Sequence, residues 1–401
     1  MNDVFVYDHV RTPRGKGRVD GALHMVTPVK LAATVLKALK ERNGIIPEDI
    51  EDVGFGVVMP VGEQGADITR SALLSAGYGD SVSGYQINRF CTSGLDTVKF
   101  GFGLIASGQA DAVIGGGVES MSRVPMASDG GASYTDPQLG LQFPYIPNGV
   151  CADLMATLDG LTRTDLDAYS VESQRRAAIA RDSGYFDQST VAVADKFGHV
   201  LLERDEALRP ATTLEDLAKL KPAFSGIGEA GFDDIVLRRY PHLESVKHMH
   251  TGGSSSGVVD GACAVLLGSK QYGERCGLRP RARIVATATC ASEPLLSLAG
   301  PVPAIDKVLA RAGLTIQDID LFEVNEAFAV VPLRIMRHFG ISHASMNVNG
   351  GAIALGHPLG ATGSILFGTV LDELERRGLG RALVTLCAAA GQATAVIIER
   401  V

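Results

Sequence analysis

The stretch Pro301-Val-Pro-Ala-Ile-Asp-Lys-Val-Leu-Ala-Arg-Ala-Gly313, continued by Ile316-Gln-Asp-Ile-Asp-Leu-Phe-Glu-Val324, decides the fold because its pattern occurs twice. Prolines suit the first turn of a helix, a glycine closes it, and an apolar run then reads as a strand. Near the start of the chain, a helix from about Thr27 carries Leu31, Val35, Leu36 and Leu39 on one face and stops at Asn43-Gly44. Pro47-Glu-Asp-Ile-Glu-Asp-Val53 then leads into a strand, as Ile316 to Val324 does later. From Asp49 to Cys91 is 42 residues, and from Asp318 to His357 is 39. Both end points open a small-residue turn before a helix, Cys91-Thr-Ser-Gly94 in one half and His357-Pro-Leu-Gly360 in the other. Each helix is followed by an apolar strand rich in small residues, Asp111 to Gly117 and Arg381 to Gly391.

Two copies of one alternating unit explain these echoes, so an α/β fold with mixed sheets covered by helices is expected. Packing the halves about a pseudo-two-fold axis brings Cys91, His357 and Cys387 toward one crevice. Between the halves, Pro125 to His250 differ in character: a Gly/Ser-rich loop at 127–133, helices near Thr164 and Thr212, and more charge. The expected division is a first core domain at 1–124 that returns at 251–275, an inserted loop domain at 125–250, and a second core domain at 276–401.

At 401 residues the chain exceeds one compact core. Apolar residues at 46% and charged ones at 20% describe an ordinary globular protein, and the net charge of −8 argues against nucleic acid or an anionic membrane as partner. The first residues read as a strand, so neither a signal peptide nor a membrane span is expected, and a cytoplasmic location follows. Cysteines at 91, 151, 263, 276, 290 and 387 form no Cys-x-x-Cys pair, which disfavours zinc and dithiol redox sites.

Several short patterns lack their context. Gly226-Ile-Gly-Glu-Ala-Gly231 follows no apolar strand, so it is not a dinucleotide fingerprint. Gly253-Ser-Ser-Ser-Gly257 matches a serine nucleophile elbow, but its strand follows it rather than precedes it. His248 and His250 have no neighbouring acidic or histidine cluster in sequence, and no metal is expected.

Asn88-Arg-Phe-Cys-Thr-Ser-Gly94 places Cys91 between the β-like run 82–87 and a helix bearing Leu95, Val98, Phe102 and Ile105. By itself this fits a buried structural cysteine, or a thiol whose thiolate the helix N-terminus favours. A histidine partner, a second thiol to move a proton and glycine-rich backbone to hold an oxyanion would make an acyl-transfer site. Asn325, in Glu323-Val-Asn-Glu-Ala-Phe-Ala329, reads as a helix N-cap or as a group serving an oxyanion.

Taken together, these motifs resemble the thiolases over essentially the whole chain. The resemblance rests on Asn88 to Gly94, Gly115-Gly-Gly-Val-Glu-Ser-Met-Ser122, Lys219 to Phe224, Ser254-Ser-Ser-Gly-Val-Val-Asp-Gly261, Asn325 to Ala329, Gly350 to Gly360 and the Cys387 loop. It implies duplicated βαβαβαββ core domains in a five-layered α-β-α-β-α arrangement with an inserted loop domain. It implies Cys91 as the acylated nucleophile and His357 as its activator, with a water on Asn325 helping to bind a thioester oxygen. Cys387 would move the second proton, and the N–H groups of Cys91 and Ala389 would form an oxyanion hole. Ser256, Gly257, Phe224 and Phe328 would line the pantetheine tunnel.

The implied reaction is cleavage of a 3-oxoacyl-CoA by coenzyme A, a substrate rather than a cofactor, with no metal. The alternatives are an acetoacetyl-CoA thiolase working in condensation, a decarboxylating ketoacyl synthase and a weakened CoA-binding scaffold. The look is that of thiolase subunits of bacterial fatty-acid β-oxidation complexes, which implies a homodimer or tetramer and a hydratase/dehydrogenase subunit as partner. Two departures stand out. Alanines occupy 389, 390 and 393 where the family usually has glycine, and a His-Met pair typical of acetoacetyl-specific members is missing near Pro147-Asn148-Gly149. The second favours longer acyl chains.

Overall fold

The computed structural model describes residues 2–401, apart from the side chains of residues 133, 134 and 141. The first half runs β1 (Phe5–Arg11), α1 (Pro28–Asn43), β2 (Asp52–Gly56), α2 (Ile68–Ser75), β3 (Ser83–Ile87), α3 (Ser93–Ala106) and β4 (Ala112–Ser120). After the insertion, which contains α4 (Asn148–Leu158) and α5 (Arg163–Asp182), the half closes with β5 (Val259–Gly268). The second half repeats this order as β6 (Ala282–Ala291), α6 (Pro301–Ala312), β7 (Leu321–Val324), α7 (Val330–Phe339), α8 (Leu359–Arg377), β8 (Arg381–Ala388) and β9 (Gln392–Arg400). The counterpart of β3 shrinks to a single parallel bridge between Phe322 and Met346.

The strands lie in the order β7-β8-β9-β6-β1-β5-β4-β2-β3, one sheet of ten with the short strand Gly15–Lys16 added beside β5. The expectation of two separate sheets is modified at one place: β1 and β6 join the halves through Phe5 opposite Arg283 and Val6 opposite Ala282.

Alternation along the strands builds the layers, since successive side chains point to opposite faces. In β5, Ala262, Ala264 and Leu266 pack with α1 and α2, whereas Cys263, Val265 and Leu267 join the cluster around α3 and α8. In the second half, β6 and β9 give Ala286, Ala288 and Ile397 to the cluster of α6 and α7, and Ala282, Ile284 and Val396 to the central one. Two outer helix layers therefore flank the strands, and α3 and α8 pack against each other between them.

That central contact positions the site. A Cβ on Gly94 would lie 2.5 Å from the Gly360 carbonyl oxygen, and one on Gly360 would strike the Gly56 carbonyl oxygen. Only glycine permits so close a crossing of two backbones. It brings the start of α3, which follows Cys91, against the start of α8, which follows His357.

Candidate active site

Cys91 stands just ahead of α3, half-buried, on a turn under backbone strain. Phe90 before it holds a left-handed φ of +48°, uncommon for a bulky residue. Side chains hold that turn. The Asn88 side-chain Oδ1 accepts from the Phe90 N–H at 2.8 Å, and the Ser93 hydroxyl donates to the Phe90 carbonyl at 2.5 Å. Below it, the buried Asp96 carboxylate accepts from Arg89 (2.7 Å), Thr92 (2.8 Å) and Thr394 (2.9 Å). Thr394 lies on β9, so the nucleophile turn of one half is pinned to the sheet of the other.

Glu119, at the end of β4, performs a similar tie from beneath. Its buried carboxylate accepts from the N–H groups of Val58 (2.9 Å), Met59 (3.1 Å) and Gly360 (2.9 Å), and from the Gln64 amide (2.7 Å). The same carboxylate affects the thiol. Burial, with the Glu119 charge added, pushes Cys91 up to about 12. Desolvation thus works against the thiolate that the helix N-terminus favours.

Two contacts orient the His357 ring. Nδ1 lies 2.6 Å from the Thr362 hydroxyl oxygen, and that hydroxyl donates its only hydrogen to the Pro358 carbonyl at 3.0 Å. In the tautomer that fits both contacts, Thr362 accepts from Nδ1–H and Nε2 accepts from the Asn325 amide. Nε2 faces the Asn325 amide nitrogen at 3.3 Å. Burial, followed by the nearby Arg14 guanidinium, lowers His357 to about 3, so the imidazole is neutral. Arg14 itself is buried, with Asp205 at 3.5 Å.

Asn325 is fully buried, and its side-chain Oδ1 has no hydrogen-bond partner among the described residues. Its own N–H donates to the Thr385 carbonyl at 3.1 Å, so it sits in the backbone ladder at the end of β7 rather than capping α7. An orphaned acceptor beside the imidazole is a place for a polar ligand atom or a water.

Cys387, buried near the end of β8, is pushed well above the usual thiol range by burial and by its nearness to Cys91 and Cys151. Beyond it the chain turns through Ala389 and Ala390. The left-handed residue is Ala390, with φ +61°, and not Ala389, the one on which the oxyanion reading depends. The Ala390 N–H donates to the Ser297 hydroxyl at 2.9 Å, and Ser297 in turn donates to the Asn148 side-chain Oδ1 at 3.0 Å. Cys91, Ala389 and Ala390 all line one cavity of about 420 Å³.

The remaining sequence candidates gather around His357 and its loop. The Gly257 carbonyl accepts from the His357 N–H at 2.9 Å, and the Ser256 N–H donates to the Ala327 carbonyl at 3.0 Å. Phe224 and Phe328 meet edge to face at 5.7 Å, and the His250 ring packs on Phe328 at 5.6 Å. His248 and His250 both bond Asp153, each at 2.8 Å.

Sequence reasoning passed over Thr362, Glu119, Asp96 and Ser297. A sequence signal existed for two of them. Thr362 lies five residues after His357, and Glu119 lies inside the Gly115 to Ser122 motif. The site thus joins a protonated thiol, a neutral imidazole, a second buried thiol and an orphaned amide oxygen. Such a set can move protons and hold a thioester carbonyl.

Comparison with known proteins agrees with this chemistry. Residues 4–231 match the family described as "Thiolase, N-terminal domain", and residues 278–400 match "Thiolase, C-terminal domain". A β-ketoadipyl-CoA thiolase of Pseudomonas putida is 40% identical over 422 residues, covering 100% of both chains. A 3-ketoacyl-CoA thiolase of Colwellia psychrerythraea is 38% identical over 409 residues, again covering 100% of both. A crystal structure of the Bacillus anthracis acetyl-CoA acetyltransferase superposes with a TM-score of 0.86 at 32% identity, covering 100% of this chain and 99% of that one. No helix among the described residues is long and apolar enough to cross a membrane. The chain is an acyltransferase and belongs to the thiolase family.

Proposed function

We propose that the protein cleaves 3-oxoacyl-CoA with coenzyme A, giving acetyl-CoA and an acyl-CoA shortened by one acetyl unit. The observation that carries this reading is the close crossing of Gly94 and Gly360, which brings the turn of Cys91 against that of His357, whose Nε2 lies beside the buried Asn325 amide. As the Cys91 sulfur attacks the 3-oxo carbon, its proton passes to Nε2, and the C2–C3 bond then breaks. The departing acetyl-CoA enolate takes a proton from Cys387, a thiol that holds its hydrogen until a stronger base appears. Coenzyme A, deprotonated by the Cys387 thiolate so formed, attacks the acyl-Cys91 thioester, and the departing Cys91 sulfur takes its proton back from His357. Backbone N–H groups of Cys91 and Ala389 serve the carbonyl oxygen of the acyl group, and His357 with Asn325 serves the thioester oxygen of the acetyl unit. Ser256, Gly257, Phe224 and Phe328 hold the pantetheine arm. The cycle uses no metal and no cofactor.

The test is acetyl-CoA release from 3-oxohexanoyl-CoA and coenzyme A. Cys91→Ser is expected to lose about 10³-fold or more in kcat and to form no covalent acyl-enzyme. Absence of acetyl-CoA from the wild-type protein at every chain length would overturn the cleavage reading. Covalent labelling of Cys91→Ser by acyl groups would overturn the choice of nucleophile.

A further inference from the structure

His248 stands between two carboxylates that the sequence places 95 and 15 residues away. Its Nδ1 lies 2.8 Å from Asp153 on α4, and its Nε2 lies 2.9 Å from Asp233, the first residue of the helix Asp233–Arg239. An imidazolium donates from both nitrogens, whereas a neutral ring serves one carboxylate and turns a lone pair on the other. Burial works against the charge, but the hydrogen bonds to Asp233 and Asp153 prevail and raise His248 above its ordinary range. Among the described residues those two carboxylates are the charges that act on the ring, and His250 joins the cluster through Nδ1, 2.8 Å from Asp153. The segment that opens at Phe224 leans on this pair. A Cβ on Gly228 would lie 2.5 Å from both the His248 Nε2 and an Asp233 oxygen, and the Gly228 N–H donates to the Phe224 carbonyl at 2.9 Å. On the other side of Phe224, the Ala223 N–H donates to the His250 carbonyl at 2.8 Å.

We propose that the His248 imidazolium is a clasp: by tying Asp233 to α4 it acts as a positioning residue for the turn 224–233, and with it for the Phe224 ring. For the use of Phe224 this rests on the cleavage reading, in which that ring lines the pantetheine arm; the clasp itself rests on the two contacts. Its two ends are unequal. Asp153 is fully buried, and its Oδ1 also accepts from the N–H groups of Met249 (3.0 Å) and His250 (2.8 Å). Asp233 is 23% exposed. When His248 loses a proton, the one that remains stays on Nδ1, because Asp233 can turn to water and Asp153 cannot. The Asp233 end then opens. The far end of the segment has its own anchor, since Arg239 and Tyr240 both bond Glu293, at 2.9 and 2.8 Å. Release is therefore confined to 224–233. A histidine raised in the fold stabilises it below the ordinary value of about 6.5 and loses that effect as pH rises through the raised one, so the clasp opens on the alkaline side.

Hydrogen exchange of the amides of 225–233, divided by that of the unfolded peptide, reads the clasp over a pH series. In the wild-type protein, protection is expected to fall about tenfold in one titration centred above about pH 6.5. In His248→Gln it should be low throughout, with no step. Asp233→Asn makes the finer test. An amide donates to a neutral Nε2 as readily as it accepts from a protonated one, so this variant should keep its protection at alkaline pH. A wild-type protein without the step, a step that persists in His248→Gln, or an Asp233→Asn protein that opens as the wild type does overturns the proposal. Acetyl-CoA binding to a Cys91→Ala protein over the same series tests the link to the pantetheine arm. Its Kd should rise about threefold or more across the step, beyond any change seen when His248→Gln is added. Exchange that follows His248 while this affinity does not would uphold the clasp and remove Phe224 from the pantetheine arm, so the two readings fail separately.

Discussion

One hydrogen on Thr362 decides how His357 can act. With that hydrogen on the Pro358 carbonyl, the imidazole donates from Nδ1, and Nε2 accepts from the Asn325 amide. The proton of the pair accordingly rests on Cys91, whose thiol is pushed up to about 12 while His357 is lowered to about 3. Between these limits the resting pair is neutral thiol plus neutral imidazole, and not an ion pair. The sign of the pH dependence follows. Only thiolate reacts with iodoacetamide, and its fraction rises tenfold per pH unit below the thiol's own titration. Alkylation of Cys91 in the free enzyme should therefore quicken steadily from pH 6 to pH 10, with a logarithmic slope of about 1 and no plateau. Mass spectrometry of the Cys91 peptide over a pH series measures this. A plateau near neutrality would mean that the helix N-terminus prevails over burial and that the thiolate is preformed.

At the level of elements, the turn after β8 carries the cost of replacing glycine. Ala390 sits at φ +61°, and a left-handed alanine costs roughly 1–2 kcal/mol. Ala389 does not share that φ, so the oxyanion candidate escapes the strain and its neighbour absorbs it. Glycine at 390 would relieve the strain but return about 0.4–1 kcal/mol through greater freedom of the unfolded chain. Ala390→Gly is thus expected to raise stability by about 0.5–1 kcal/mol, read as a higher urea midpoint at an unchanged slope. Ala389→Gly, with no strain to relieve, should lower it by several tenths of a kcal/mol. A stabilising Ala389→Gly would place the strain at the wrong residue. The loop's composition was visible in the sequence, but its φ angles were not, because they depend on how Ser297 anchors the Ala390 N–H from another element. The same limit governed the supports of the nucleophile. Cys91, His357 and Cys387 could be read because a repeat marks equivalent turns. Glu119 reaches Gly360 across 241 residues, and Asp96 reaches Thr394 across 298. No local pattern encodes such pairs. They appear only when the two halves are docked.

For the whole molecule, the duplicated halves join edge to edge through β1 and β6, so the sheet ends in β7, bridged to Met346 through Phe322, and in β3. The alternating strands and helices showed each half clearly; the two-residue joint, too short to leave a periodic signature, did not show. β3 has one neighbour in the sheet, and Tyr85 on it faces a surface depression shared with Phe100, Phe102 and Leu104 of α3. Phe100 is 36% exposed. An open strand flanked by aromatic surface invites pairing, and proteins ordinarily cover or charge such an edge. Lys99 and Arg89 both lie over the Phe100 ring, so these cations sit on the aromatic face rather than on the open strand edge. A second copy offers the self-complementary solution, since an antiparallel pair of identical strands about a two-fold axis satisfies both edges at once. We therefore expect a homodimer built across β3. Light scattering at micromolar concentration should give twice the chain mass of 42.1 kDa. Phe100→Glu, which places charge beside the edge without touching the Cys91 cavity, should shift the mass toward the single chain. A wild-type mass of one chain across that concentration range would mean that β3 stays open. A dimer indifferent to Phe100→Glu would move the interface to another face.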